Sequence, residues 1–157
     1  MNNLKSVSVV LLILLSGVIF VTAQRTKVST TPDYKITNLK IVPFDSFTGE
    51  FQDAIKTGDT ERTFFNDYSI SLLVTVEVSA EKGGYESARA VQISAVEGRK
   101  IKKTKTEPMV PMEDNGKYYV PLWLDAGMCN TVKITAKITG QKTVATMSRS
   151  VMFNCGE

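Results

Sequence analysis

The sequence predicts an all-β protein, an antiparallel β-sandwich of about seven strands. Apolar and polar residues alternate with a period of two in segments spread from Tyr34 to Phe153, and this alternation is typical of strands buried on one side. Turn-forming residues separate these segments at short intervals. Many short strands with frequent turns favour a sandwich over a mixed α/β fold.

The clearest strand is the segment YSISLLVTVEVSA, residues 68–80. Its predicted inward row is Tyr68, Ile70, Leu72, Val74, Val76 and Val78. The opposite row is polar except for Leu73. The segment therefore predicts a strand with one face in the core and the other toward solvent.

Six further segments complete the prediction. They read YKITNLKIVP, with a bulge near Asn38, then ARAVQISAV, RKIKKTKT, KYYVPLWLD, TVKITAKIT and TVATMSRSVMF. Turns are expected at residues 81–84, 97–98, 114–116 and 140–141, where Gly, Asn and Asp gather. The one helical candidate is a turn or two from Phe51 to Thr57, inside the long connection between Phe44 and Asp67.

In strand number and order this chain resembles immunoglobulin-like domains, including the small bacterial ones, from about Tyr34 to Cys155. The inter-sheet cysteine pair of that family, with a tryptophan between its members, is absent here. The resemblance implies a fold and no particular function, because this fold hosts many functions.

The first 23 residues predict a signal peptide that is cleaved after Ala23. Lys5 precedes an apolar run from Val7 to Leu15, and small residues precede the expected cleavage point. The run is short for a membrane anchor, which is the alternative. We expect residues 24–33 to form a flexible polar arm and residues 34–157 to form the β-sandwich domain. The protein should then be secreted or periplasmic, with no stable membrane span after cleavage.

The two cysteines predict one disulfide, because an even cysteine count in an exported chain indicates pairing. Cys129 and Cys155 flank the last two strands, which meet at a turn near residues 140–142. The disulfide would join the open end of this hairpin and stabilise the fold by roughly 3–4 kcal/mol.

For this terminal hairpin we also expect an offset register. Turning Met147, Val151 and Phe153 toward the core, with Ile134 and Ile138, requires a register about one residue away from the symmetric one. That register also points Arg149 inward.

The composition argues against an enzyme. The chain has no histidine, which removes the usual general base and the commonest metal ligand. We therefore predict no catalytic residue, no cofactor and no metal site. The nearly balanced charge, with 19 basic and 16 acidic residues, predicts no nucleic-acid partner.

The aromatic residues of KYYVPLWLD are the first candidate site. If Tyr118, Val120 and Leu122 face the core, Tyr119, Pro121 and Trp123 face outward. Pro121 also predicts a strand at or near a sheet edge, since proline cannot donate a ladder hydrogen bond. This face could bind a protein or a glycan. The alternative, which we favour because large exposed apolar patches are uncommon on monomers, is that the phenylalanine-rich connection from Phe44 to Asp67 folds over the face and buries it.

The basic run Arg99, Lys100, Lys102, Lys103 and Lys105 is the second candidate site, a candidate contact for an anionic surface. The alternative, which we favour, is that these lysines protect an exposed edge strand from pairing with another molecule.

Three functions remain open. The first is a non-enzymatic exported domain that mediates protein–protein interaction in the periplasm or outside the cell, with a protein partner or self-association. The second is a structural subunit of a surface assembly or filament. The third is a carbohydrate-binding module that uses Tyr119 and Trp123 on a sheet face.

Overall fold

The protein is an all-β molecule built from two sheets, as the sequence predicts. The structure, a computed structural model, describes residues 33–58, 63–65 and 68–154. These residues form nine strands and no helix. Within them, none could form a helix of the length and hydrophobicity that a membrane span needs. The predicted signal peptide 1–23, most of the arm 24–33 and Cys155 lie outside the described residues.

The strands follow the chain in a simple order. They are β1 (Lys35–Asp45), β2 (Glu50–Phe51), β3 (Thr63–Phe65), β4 (Ile70–Ser79), β5 (Ala90–Glu97), β6 (Lys100–Pro108), β7 (Lys117–Leu124), β8 (Val132–Thr139) and β9 (Ala145–Asn154). One sheet has the order β2-β1-β4-β7, and the other has the order β3-β9-β8-β5-β6. All strand pairs are antiparallel except β3 with β9.

The seven predicted strands match the seven long strands within a few residues at each end. Two predictions were wrong. The helix expected from Phe51 to Thr57 is absent, because this segment continues beside β1 instead. There Gln52 N donates to Pro43 O at 2.9 Å, and Ile55 N donates to Ile41 O at 2.9 Å. Ile55 is buried, so the segment adds to the core.

The second wrong prediction concerns Tyr68, which was placed on the inward row of β4. Its side chain is 66% exposed, and its φ of 53° is in the left-handed region. This backbone turn precedes the strand, which begins at Ile70, so the alternation does not extend back to Tyr68. The other predicted members of the row, from Ile70 to Val78, are all buried.

Two irregularities of the sheets agree with the sequence. The β1–β4 register shifts between Ile36 and Asn38, which confirms the expected bulge. In the terminal hairpin, Val132 lies opposite Val151 and Ala136 lies opposite Met147. This is the offset register that the apolar pattern required, and it places Arg149 opposite Ile134, on the core side of β9.

The structure explains why an arginine occupies this inward position. Arg149 Nη1 donates to Leu39 O at 3.0 Å, and Nη2 donates to Ile55 O at 2.8 Å and to Lys56 O at 2.6 Å. Leu39 belongs to β1 in the opposite sheet, while Ile55 and Lys56 belong to the connection that follows it. The guanidinium therefore joins the two sheets and the connection through main-chain carbonyls, a geometry suited to its forked set of donors.

The Gln141 side chain holds the start of the described chain by bonding to both main-chain polar groups of Tyr34, as a neighbouring strand would. The Gln141 amide accepts from Tyr34 N at 3.1 Å and donates to Tyr34 O at 2.9 Å. Gly140, just before it, has a φ of 82°, and a Cβ there would lie 2.2 Å from Ala88 O. Only glycine fits this turn, which keeps Gln141 beside buried Tyr34.

Replacing Arg149 should be costly. We expect Arg149→Met to lower the free energy of unfolding by roughly 2–3 kcal/mol, because carbonyl acceptors lose a charged donor while the apolar stem is kept. Urea unfolding measures this change. Arg99→Met, at an exposed turn position, is the matched control and should change stability by less than about 0.5 kcal/mol. Equal effects of the two substitutions would contradict the role assigned to Arg149.

Candidate functional site

Strand β7 carries the predicted partner-binding residues at the edge of the four-stranded sheet. This confirms the edge position inferred from Pro121. Along β7 the buried side chains Val120, Leu122 and Leu124 alternate with Tyr119, Pro121 and Trp123 on the outer face. Tyr119 is 48% exposed and Trp123 is half-buried.

Trp123 belongs to a cluster of three aromatic rings. The Phe44 ring centroid lies 5.5 Å from that of Trp123 and 5.0 Å from that of Phe51, and the Phe51 and Trp123 centroids are 6.4 Å apart. These distances are within the range of favourable aromatic pairs. The cluster, called here the aromatic cluster, spans the sheet from β2 through β1 to β7.

The contacts of Leu73 explain why this residue is the one apolar exception on the outward row of β4. Leu73 pairs directly with Trp123 on one side and with Val42 on the other, and all three are half-buried. The outer face is therefore apolar across three strands at this level. Leu73 was the signal in the sequence that could have located the cluster, because an apolar residue on a solvent face needs a neighbour to cover it.

The expectation that the Phe44–Asp67 connection buries this face holds in part for Trp123, which is half-buried, whereas Tyr119 is 48% exposed. Phe44 and Phe51 do pack on Trp123, but Phe51 is itself 56% exposed and Phe47 is 77% exposed. The later phenylalanines, Phe64 and Phe65, belong to β3, which pairs with β9 in the other sheet.

A polar group borders the aromatic face on the Tyr119 side. Glu77, opposite Tyr119 in the sheet, accepts from the Thr37 hydroxyl at 2.7 Å and lies 2.9 Å from Lys117 Nζ. The Thr37 hydrogen bond, followed by that of Lys117, holds the pKa of Glu77 below its ordinary value. The same pairing raises the pKa of Lys117. The face thus has an apolar centre and a charged border at neutral pH.

The basic run lies on the edge strand β6 and the turn before it, and it does not form one positive face. Lys103 and Lys105 point to the same side as the core residues Ala95 and Ile93, with which they pair. Lys102 lies at the register shift of β6 and contacts Glu97 at 3.1 Å. Arg99 and Lys100 are exposed at the turn.

The two inward lysines of β6 reach across the open side of the sandwich. Lys105 Nζ donates to Pro121 O of β7 at 3.1 Å, and Lys103 Nζ lies 3.3 Å from an Asp125 carboxylate oxygen. Inward-pointing charges are a known way to keep an edge strand from pairing with another molecule. The geometry therefore favours edge protection, and contact with an anionic surface stays a prediction.

Glu97 organises the loop that leads into β8. Its carboxylate accepts from the main-chain N–H groups of Cys129 and Asn130, the latter at 2.8 Å, and contacts Lys102. Burial alone would raise the pKa of Glu97, but the Cys129 and Asn130 N–H groups and Lys102 outweigh it and hold the pKa below its ordinary value. No pattern in the sequence indicates this contact, which joins residues more than thirty positions apart.

Comparison with known proteins adds no family to this description. The chain matches no model of a protein family, and no curated protein matches it.

The Glu97 contact predicts a pH dependence of stability. Because its folded pKa is lowered from about 4.5, the stabilisation is complete above that pH and is lost as the pH falls through the folded pKa. Glu97→Gln should lower the free energy of unfolding at pH 7 by roughly 1–2 kcal/mol. Between wild type and variant, that difference should shrink below pH 4.5.

Chemical denaturation at a series of pH values measures the difference. Glu50→Gln, at an exposed position of β2, is the control and should leave the whole profile unchanged. A Glu97→Gln difference that stays constant from neutral to acid pH would show that the carboxylate charge is not responsible.

Proposed function

We propose that this chain is an exported, non-enzymatic β-sandwich domain that binds a protein partner through the outer face of its first sheet. The observation that carries the proposal is the aromatic cluster of Phe44, Phe51 and Trp123, only partly covered and continued by Tyr119. Large aromatic side chains are the commonest anchors of protein interfaces, because they bury much area at little entropic cost.

The border of the face supports a protein partner. Glu77 and Lys117 form an ion pair next to Tyr119, so an apolar centre lies beside a polar margin. Protein interfaces commonly have this arrangement, with the margin excluding water from the centre. Exposed apolar patches of appreciable size on a soluble protein mark interaction sites more often than chance.

The ring geometry favours a protein over a glycan. The Phe44 ring is inclined by 58° to both neighbours, and the Phe51 and Trp123 rings meet at 88°. Rings at these angles form an uneven surface with a raised edge, which suits a side chain inserted between them. A sugar stacks best on a flat ring, so a carbohydrate-binding module using Tyr119 and Trp123 is the weaker alternative.

The strand order supports an immunoglobulin-like arrangement. If β1, β4 and β7 are equivalent to strands A, B and E, then β9, β8, β5 and β6 are equivalent to G, F, C and C′. Sheets A-B-E and G-F-C-C′ facing each other are characteristic of that class. Such domains commonly serve recognition, which agrees with the proposal by analogy of fold alone.

Export through the predicted signal peptide 1–23 is part of the proposal, as is the disulfide. In the β8–β9 register Val132 lies opposite Val151. Continuing this register by three residues brings Cys129 opposite Asn154, one residue from Cys155. This proximity supports the Cys129–Cys155 pair that an exported protein would form.

The disulfide predicts a mass and a stability. The intact exported protein should weigh two hydrogen atoms less than its reduced form, because one bond joins the only two cysteines. Cys129→Ser should lower the free energy of unfolding by roughly 3–4 kcal/mol. A native mass equal to that of the reduced chain would remove the disulfide from the account.

The partner-binding proposal is tested by capture from the native host. The exported protein, mildly crosslinked and recovered by a tag, should bring down one dominant partner identified by mass spectrometry. Phe51→Ser and Trp123→Ala should each reduce the captured amount by about tenfold or more, the effect typical of an interface anchor. Tyr85→Ala removes a ring that is 51% exposed outside the cluster and should leave capture unchanged.

Two results would contradict the proposal. One is equal capture by the Phe51→Ser and wild-type proteins. The other is quenching of Trp123 fluorescence by soluble glycans, which would favour the carbohydrate alternative, since Trp123 is the sole tryptophan and reports only on this face.

A further inference from the structure

The outer face of the second sheet carries positive charge and no negative charge. Along β5, β6, β8 and β9, outward side chains alternate with those of the core. In these four strands the outward positions hold two lysines, Lys133 and Lys137, and no aspartate or glutamate. Most of the other outward residues are Ser, Thr, Gln or Asn. A face of this composition attracts anions, because it holds no carboxylate that would repel them.

The cations of this face are available to a ligand. Lys133 and Lys137 are exposed, and among the described residues no carboxylate lies within 4.0 Å of either ammonium group. Arg99 and Lys100, in the exposed turn between β5 and β6, likewise make no ion pair in the described part of the chain. Along β8 the two lysines are about 13 Å apart, which exceeds the screening length of about 8 Å at physiological salt. They therefore scarcely repel each other.

Apolar side chains lie beside these cations at one end of the face. Ile101 is 70% exposed, and it lies in one row with Val96 of β5 and Lys133 of β8. Met152 of β9 is 38% exposed and follows Ser150, the partner of Lys133, on the same face. Cations combined with exposed apolar side chains let a protein bind a bilayer from one side, because the cations meet anionic headgroups while the apolar side chains leave water.

We propose that this surface binds a lipid bilayer that contains anionic lipid. The surface, called here the basic face, comprises Arg99, Lys100, Ile101, Lys133 and Lys137. Its four cations lie against the phosphate-bearing headgroups, and the Ile101 side chain enters the boundary between headgroups and acyl chains. Each basic residue near such a surface strengthens binding roughly fivefold. The contact is peripheral and reversible, because its apolar part is small.

The exposure of Ile101 favours a bilayer over a soluble acidic polymer. An acidic polysaccharide would pair with the cations, but it offers no apolar phase for a side chain that is 70% exposed. The rest of the face suits the headgroup region of a bilayer. Lysine side chains are longer than the Ser and Thr side chains around them, so the cations project beyond their neighbours toward the lipid phosphates.

This inference goes beyond the proposed function and uses a different surface. The aromatic cluster lies on β1, β2 and β7 of the first sheet, whereas the basic face lies on the second sheet. On the outer face of the first sheet Lys117 is paired with Glu77, so that face attracts anions less strongly. With the basic face on a bilayer, the aromatic cluster points away from the lipid and toward a protein partner. Either surface could fail without the other.

Flotation with lipid vesicles tests the proposal with the protein as exported. Vesicles of phosphatidylcholine with roughly one-third phosphatidylglycerol should bind the protein, whereas vesicles of phosphatidylcholine alone should not. The double variant Lys133→Gln, Lys137→Gln should lower the partition coefficient by roughly 25-fold, because two of the four cations are lost. Absence of wild-type binding to the anionic vesicles at low salt would overturn the proposal.

The matched control is Lys35→Gln, Lys40→Gln, the same change of net charge at exposed positions of β1 in the first sheet. It should change binding by less than about twofold, and an equal loss in both double variants would mean that net charge, not the basic face, binds the vesicles. Ile101→Ser should weaken binding to the vesicles and leave binding to heparin, a soluble acidic polysaccharide, unchanged. Binding to heparin without binding to the vesicles would make the ligand a polymer and overturn the proposal.

Tryptophan fluorescence measures the orientation of the bound protein. Trp123, the sole tryptophan, lies on the outer face of the other sheet, so brominated lipid in the anionic vesicles should leave its emission unchanged. Ile101→Trp adds a second indole ring on the basic face, and the emission of this ring should be quenched. Quenching of Trp123 in the wild-type protein would move the lipid contact to the aromatic cluster and overturn the proposal.

Discussion

The fold depends on one arginine that is bonded to main-chain carbonyls of the opposite sheet. Arg149 points inward from β9 and reaches Leu39 O of β1 together with Ile55 O and Lys56 O of the following connection. The guanidinium thus gives main-chain carbonyls of β1 and of the connection one shared, charged donor group. Its position follows from the offset register of the β8–β9 hairpin.

This contact also bears on the candidate site. By holding Ile55 and Lys56 against the sheets, Arg149 keeps the connection extended beside β1, where Gln52 N bonds to Pro43 O. Phe51 immediately precedes this segment, and its ring therefore stays near Phe44 and Trp123. The interior of the sandwich and the aromatic cluster on its outer surface are thus linked through one short stretch of chain.

The strand edges on the two sides of the molecule differ in the contacts that they make. On one side, lysines of β6 reach to the carbonyl of Pro121 and to Asp125, so that both edges are occupied by contacts within the chain. On the other side, β3 pairs only with Met152–Asn154 of β9, and Asp33–Ile36 lie across a groove from Thr143–Thr146. Three of the four lysines of the basic run, Lys102, Lys103 and Lys105, make contacts within the chain, which favours edge protection.

Much of the fold was predictable from the period of two. The seven long strands, the bulge near Asn38, the edge position of β7 and the inward turn of Arg149 all followed from the alternation or from Pro121. These features are local, or they follow from the requirement that apolar residues share a face.

The remaining features depend on contacts distant in sequence. Short strands such as β2 and β3 carry too few residues for a period, and the helix expected after Phe51 gave way to pairing with β1. The aromatic cluster was half predictable: the sequence predicts that the connection beginning at Phe44 packs on this face, but which of its phenylalanines reach Trp123 depends on the path of the connection.

The most direct test of the account is site-specific photo-crosslinking in the native host. A photoreactive residue in place of Phe51 should join the protein to one dominant partner, while the same residue in place of Tyr85, similarly exposed but outside the cluster, should not. Crosslinks from position 51 alone would establish the aromatic cluster as the binding surface. Equal crosslinking from both positions, or none from position 51, would contradict the central claim.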